Sequence, residues 1–285
     1  MKIKVIYIAG LYHTGSTLLD MILGSLPNVI GLGEVFKGLH DKFEDHCTCG
    51  QRVEDCDFWG RVLKKIKAEH DLDINSKYRL VLSTFSEQYG DEKILVDSSI
   101  CHPFKLFSAT DERDMQGLNQ LIKIEDIELK VIHLVRDVRS WTNSLLTRDE
   151  RDKDELKYFK RLFMFIFRSP SARFIQWYWG HTKIIQFLEK NNLEHIRISY
   201  EDLAIQPEKT LRQLSCFLGI TYQDSMLNPN NSKSHIAVGN PVRFKDKAMK
   251  KINYDYRWFG SSRLSIPALI LRPIMKFNKK IMYDK

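Results

Sequence analysis

The chain has no apolar run long enough to span a membrane, and no hydrophobic leader precedes its first ordered stretch, because Met1-Lys2-Ile3-Lys4 leads straight into Val5. These absences predict a cytoplasmic protein. Its five cysteines are few and odd in number, which argues against a disulfide framework and for a reducing compartment. An arginine-rich arm, zinc-finger spacing and an RNA-binding aromatic signature are also missing. The net charge of +8 is therefore read as suited to an anionic ligand or an acidic surface, and nucleic acid is set aside. With 285 residues, 43% of them hydrophobic and 28% charged, the composition is that of a globular protein large enough for one α/β domain.

One further absence is local. Val5-Ile6-Tyr7-Ile8 reads as a buried strand, Gly10 and Gly15 frame a turn, and Ser16-Thr17-Leu18-Leu19 opens an apolar helix. The spacing is that of a phosphate-binding loop, whose backbone N–H groups and helix dipole suit an anion. The lysine that reaches the outer phosphates of a triphosphate is replaced by Ser16. The loop thus suits a phosphate on a nucleotide without a γ-phosphate. A bare strand-turn-helix is the alternative.

Further short strands end in polar residues, and in a parallel sheet those ends share one edge with the loop. Val29 to Gly33 ends in Glu34, a candidate general base or a solvated loop carboxylate. Ile94-Leu95-Val96 ends in Asp97-Ser98-Ser99. Val131 to Val135 ends in Arg136, which can fork onto a phosphate, with Ser144 eight residues later in the following helix. An ion pair from Arg136 to Asp137 or Glu34 is the competing assignment. His133, within the strand, reads as a packed core histidine. His195 to Ser199 ends in Tyr200, and Pro207 to Leu218 is a helix stopped by Gly219.

The remainder is less specific. Residues 40–59 form a cysteine-bearing insertion in which Cys47, Cys49 and Cys56 have part of a zinc spacing. The fourth ligand is missing locally: His46 is awkward, and His40 or a distant residue would be needed. Three buried or free thiols are the expectation, with no metal assigned. Trp59–His70 and Lys77–Tyr89 read as helices, Asp111–Lys130 as charged surface, and residues 153–190 as aromatic-rich helix broken at Ser169-Pro170. Residues 224–285 hold a turn, a basic run with Arg243, Lys245, Lys247, Lys250 and Lys251, and a tail that either docks on the domain or lies on the inner face of an anionic membrane. Pro267 and Pro273 argue against one continuous tail helix.

Taken together, these motifs resemble the sulfotransferases that use 3′-phosphoadenosine 5′-phosphosulfate, over most of residues 3–244. His13-Thr14-Gly15-Ser16-Thr17-Leu18 is similar to their 5′-phosphosulfate loop, and Val135-Arg136-Asp137 with Ser144 to their 3′-phosphate motif. Tyr200-Glu201-Asp202-Leu203 resembles a landmark whose tyrosine lies near the adenine in some members. Gly239-Asn240-Pro241 with Arg243 resembles the loop that covers the nucleotide, and the Cys47-to-Trp59 stretch resembles a feature of bacterial members.

The resemblance implies a single three-layer P-loop-type α/β domain with a central, mainly parallel sheet flanked by helices. It implies transfer of a sulfuryl group from that donor to a hydroxyl or amine of an unidentified carbohydrate, lipid or small-molecule acceptor. The product would be 3′,5′-adenosine bisphosphate, and no metal would be required. Glu34 would be the base, and His13 would stand where an arginine or lysine usually neutralises the leaving phosphate. Arg139 or a late lysine is the substitute if His13 does not. Donor contacts would come from His13, Thr14, Gly15, Ser16, Thr17, Leu18, Arg136, Ser144, Tyr200, Asn240 and Arg243. Asp97-Ser98-Ser99 resembles a family segment that often continues with lysine; with Ile100 in that place, the contact is either lost or supplied by Lys105. A P-loop kinase or NTPase and a non-catalytic nucleotide-binding module are the alternatives.

Overall fold

Along Val5 to Ala9 every residue is apolar or aromatic and every one is buried, as a strand covered on both faces requires. In the computed structural model, which describes residues 2–69, 71–101, 115–151, 169–244 and 252–283, this strand is the centre of a five-stranded parallel sheet. The strands are β1 (Ile3–Ala9), β2 (Val29–Gly31), β3 (Ile94–Asp97), β4 (Ile127–Val135) and β5 (His195–Ser199), in the order β2-β3-β1-β4-β5. Tyr7 pairs with Asp97 on one side and Val131 on the other.

Alternation along the strands sorts the core into two layers. Val5, Tyr7 and Ala9 face one cluster, with Val131 and Val135; Ile6 and Ile8 face the other, with Ile132 and Leu134. The first layer is covered by α3 (Trp59–Ala68), α4 (Ile74–Tyr89), α5 (Gln116–Leu121), α6 (Val138–Arg151) and α7 (Pro170–Lys190). The second is covered by α1 (Ser16–Leu23), α8 (Tyr200–Ile205) and α9 (Pro207–Leu218). The three-layer α/β architecture expected from the sequence is present. A short helix, α2 (Val35–His40), follows Glu34 at the carboxyl edge.

Three boundaries differ from the sequence reading. Strand β4 begins at Ile127, inside the stretch expected to be charged surface, because Ile127 to Lys130 pair with Ile3 to Ile6. Helix α4 begins at Ile74, three residues before Lys77, because Asp73 accepts a hydrogen bond from Ser76 N at 2.7 Å and caps it. Helix α3 ends at Ala68. Ser169 caps α7 with Pro170 in its first turn, and Gly219 ends α9 in the left-handed region. The expectations for residues 153–168, for Lys105 and for Lys245 to Lys251 lie outside the described residues.

The tail forms α10 (Ser265–Ile270) and α11 (Arg272–Tyr283), two helices as the prolines require. Helix α11 docks on the domain, burying Ile274, Ile281 and Met282. Its buried Asn278 donates to Asp137 Oδ2 at 2.9 Å and accepts from Val138 N at 3.0 Å, which satisfies the start of α6. Ile266, Leu269 and Ile270 of α10 are exposed. No helix among the described residues is long and apolar enough to cross a membrane.

Candidate active site

Because β1 lies between β3 and β4, it delivers residues 10–15 to the middle of the carboxyl edge of the sheet. The turn closes on Leu11, whose carbonyl accepts from Thr14 N at 3.3 Å and Thr14 Oγ1 at 2.6 Å. A Cβ at position 10 would sit 2.8 Å from Thr14 Oγ1 and 3.0 Å from the Leu134 carbonyl, so the approach to β4 requires glycine. His13 has φ 65° and Gly15 φ 101°, both left-handed, on either side of Thr14. Such a bend turns successive N–H groups toward one concavity at the start of α1. Gly15 also lies under the Tyr200 ring, 3.1 Å from where a Cβ would stand, so strain and crowding both exclude a side chain there. Ser16 and Thr17 are buried in the first turn of α1, and Leu18 packs on the core, leaving its backbone as its contribution to the loop.

Arg136 closes the floor of this concavity. Its Nη1 donates to the His13 carbonyl, its Nε to Ser140 Oγ and its Nη2 to Asp255 Oδ2, each at 2.9 Å. The guanidinium stacks on Tyr200, 4.5 Å from the ring centre. Ser144 lies 2.9 Å from His13 Nδ1. The loop, Arg136, Ser144 and Tyr200, read separately from the sequence, are thus brought into one connected group. The competing ion pair of Arg136 with Asp137 or Glu34 does not form; the partner is Asp255.

Arg139, the alternative cation, forks onto Asp137 at 3.0 and 2.8 Å and stacks on Trp258, so its charge is already paired. Asp255 also accepts from Arg257 Nε at 2.7 Å; with Arg136, this holds its carboxyl down at about 2. Below Arg136, the buried Glu201 accepts from Asp137 N, and burial pushes its carboxyl up to about 8.

Glu34 stands at the other end of the edge, in front of α2, and is 8% exposed. Its N–H donates to the Val238 carbonyl at 3.0 Å. Its Oε2 has no hydrogen-bond partner and lies 3.8 Å from Lys37 Nζ. Burial raises its pKa from the ordinary carboxylate value, with Lys37 opposing.

Two other carboxylates support it. Asp97 is fully enclosed: it accepts from Tyr78 Oη at 3.0 Å and from Ser99 N and Oγ at 2.8 and 2.5 Å, while Ser99 Oγ accepts from Phe36 N at 2.9 Å. Its carboxyl, raised by burial to about 6, holds the first turn of α2 and is not open to an acceptor.

Asp20 was not singled out from the sequence. It is fully buried in α1, accepting from Ser98 Oγ at 2.8 Å and Gly33 N at 3.1 Å, and so ties the anion helix to the corner that carries Glu34. The signal was available: one carboxylate inside the apolar run Leu18 to Leu23. Burial raises the Asp20 carboxyl to about 7. Because the folded state holds this proton more tightly than the unfolded chain (about 3.9), its ionisation costs stability as pH rises from about 4 to 7. An Asp20→Asn variant keeps the acceptor without that charge. Its thermal midpoint relative to the parent is expected to rise between pH 5 and 8, and a pH-independent difference would refute the assignment.

The late segment returns to the loop. Asn240 N donates to Thr17 Oγ1 at 3.2 Å. Arg243 is buried and donates to the Gly239 carbonyl in its own segment and to Glu44 of the 40–59 insertion, so its charge is paired with a carboxylate 199 residues away in sequence.

A central parallel sheet, a glycine-framed loop at its carboxyl edge, an arginine under that loop and a buried carboxylate on the same edge are the features of a P-loop-like α/β fold. The sulfotransferase family model matches residues 6–224, and the chain belongs to that family: it is an enzyme of sulfuryl transfer. Among solved structures, the sulfotransferase domain of the Synechococcus PCC 7002 olefin synthase is similar, with 17% identity, a TM-score of 0.53 and coverage of 97% of this chain and 96% of that one. The sulfotransferase domain of the curacin biosynthetic pathway is similar at 19% identity and TM-score 0.55, covering 95% and 98%. Sulfotransferase STF9 from Mycobacterium avium is similar at 11% and 0.53, covering 99% and 78%. These likenesses concern the fold. No curated protein gives a significant match.

Proposed function

We propose that the donor is 3′-phosphoadenosine 5′-phosphosulfate, that residues 13–18 receive its 5′-phosphosulfate, and that Arg136 and Ser144 receive its 3′-phosphate. The observation that carries this reading is the bonded group of Arg136, His13 and Ser144 under a loop without a lysine. A 3′-phosphate supplies the second anion that such an arginine can fork onto, whereas a γ-phosphate would meet Ser16 in place of a lysine. Tyr200, against Gly15 and stacked on Arg136, offers an aromatic surface beside that phosphate. Asn240, bonded to Thr17, and Arg243 belong to the segment that covers the loop.

In the proposed reaction the acceptor O–H or N–H gives its proton to Glu34. The acceptor atom bonds to sulfur as the bond from sulfur to the bridging phosphate oxygen breaks, and 3′,5′-adenosine bisphosphate leaves. Negative charge builds on the bridging oxygen, which the N–H groups of the loop and the α1 dipole would stabilise. His13, as imidazolium, adds the cation at the loop. The acceptor stays at the level of a hydroxyl or amine compound.

Calorimetric titration tests the donor reading. The bisphosphate is expected to bind at least tenfold more tightly than ATP, with no need for Mg²⁺, by the strength of one well-placed charged contact. Tighter Mg-ATP binding would return the chain to the kinase alternative. Binding with no transfer from labelled donor to any acceptor would favour a non-catalytic module.

A further inference from the structure

The cysteine-bearing segment gains from the fold what it lacks in sequence. His235, 179 residues after Cys56, brings its Nδ1 to 3.2 Å from Cys56 Sγ and 4.0 Å from Cys47 Sγ. Cys47 and Cys56 have their sulfurs 3.7 Å apart and are not joined as a disulfide. With Cys49, the four ligand atoms all lie within 4.8 Å of one another.

A tetrahedral ion at about 2.3 Å from sulfur and about 2.05 Å from nitrogen sets S···S near 3.8 Å and S···N near 3.6 Å. The Cys47–Cys56 distance matches the first, and the two sulfur–His235 distances straddle the second. A hydrogen-bonded thiol cluster would not require all four groups to converge on one point.

The backbone around the cluster is built for thiolates. Gly50 N donates to the Cys47 carbonyl at 3.0 Å, turning the chain between Cys47 and Cys49, and Gly50 has φ 89°. The N–H groups of Cys49, Gln51 and Trp59 face the sulfurs of Cys47, Cys49 and Cys56.

The histidine is held with equal care. Its N–H donates to the Gly31 carbonyl at 2.8 Å, and its carbonyl accepts from Trp59 Nε1 at 2.6 Å. Thr48 Oγ1 donates to the Ser234 carbonyl at 2.5 Å and accepts from Ile236 N at 2.9 Å, clasping the two segments on both sides of His235.

We propose that Cys47, Cys49, Cys56 and His235 form a structural zinc site. Three thiolates and one imidazole in tetrahedral array are the donor set of Zn²⁺, and four protein ligands leave no open position for substrate. The site lies apart from the transfer chemistry but fixes one of its walls. It locks residues 234–236 to the 47–59 segment. From that anchor the same strand of chain presents the Val238 carbonyl to Glu34 N and Asn240 N to Thr17. The inference stands independently of the donor and acceptor.

The test is metal analysis of the full chain, produced in zinc-replete medium and desalted. Stoichiometric zinc is expected, and replacement by Co²⁺ should give the intense visible bands of a tetrahedral thiolate site. Cys56→Ser and His235→Ala should lose the metal. His235→Cys should keep it with a shifted cobalt spectrum, which keeps the test decisive if the first two variants fail to fold. Metal-free parent protein that takes up neither Zn²⁺ nor Co²⁺, or a Cys47–Cys56 disulfide in that protein, would overturn the proposal.

Discussion

Replacing Glu34 by glutamine is expected to lower kcat by about 10²–10⁴-fold, the usual contribution of a positioned general base, while affinity for 3′,5′-adenosine bisphosphate stays within about twofold of the parent. The split follows from placement. Glu34 is on the corner after β2, across the edge from Arg136, and its Oε2 is buried without a hydrogen-bond donor. A carboxylate so placed keeps its basicity for an incoming proton, and burial raises its pKa further.

Activity needs the ionised form, so turnover should fall as pH drops through that raised pKa. The acid limb should therefore lie above the ordinary carboxylate range, and Glu34→Gln should lack it. The variant should fold at least as well, because the amide removes a charge that is costly to bury. An unchanged kcat in Glu34→Gln would dismiss Glu34 as the base.

The placement of the loop, Glu34, Arg136 and Tyr200 at one edge of the sheet was legible because it is written locally. Gly10, Gly15 and the apolar run before them specify a loop, and Arg136 ends its strand within one continuous stretch. The β-strand period and the parallel-sheet rule then place Glu34, Arg136 and Tyr200 on one side. What escaped depends on contacts between distant residues. Asp255 meets Arg136 across 119 residues, and His235 meets Cys56 across 179, and neither pair leaves a local spacing to read. Asp20 escaped for another reason: buried carboxylates in helices are rare enough that an isolated one is easily passed over as surface. Arg139 misled because an arginine near a phosphate motif reads as a ligand, while its true partner, Asp137, is two residues away.

Asp255 holds the Nη2 edge of Arg136 at 2.9 Å. A 3′-phosphate received by Arg136, as proposed, would compete with Asp255 for that fork. Arg257, also on Asp255, would leave that carboxylate a second partner.

Arg136→Ala is expected to weaken bisphosphate binding by about 10²–10³-fold, or about 3–4 kcal/mol, the cost of removing one side of a buried charged hydrogen-bonded pair. The parent should bind the bisphosphate far more tightly than 5′-AMP, which lacks the 3′-phosphate. In Arg136→Ala that preference should nearly vanish, because what is lost is contact with the 3′-phosphate and not the grip of the loop on the 5′ end. Arg136→Lys should fall between, keeping the charge but losing the fork.

The variant should remain folded: Asp255 still has Arg257, and its exposed face can be hydrated. Removing the guanidinium does free the His13 carbonyl and the Tyr200 face, so some loss common to both ligands is expected. The comparison of the two nucleotides cancels that common part. If Arg136→Ala discriminates the bisphosphate from 5′-AMP as well as the parent does, the 3′-phosphate lies elsewhere, and Arg136 serves only to tie the loop to Asp255.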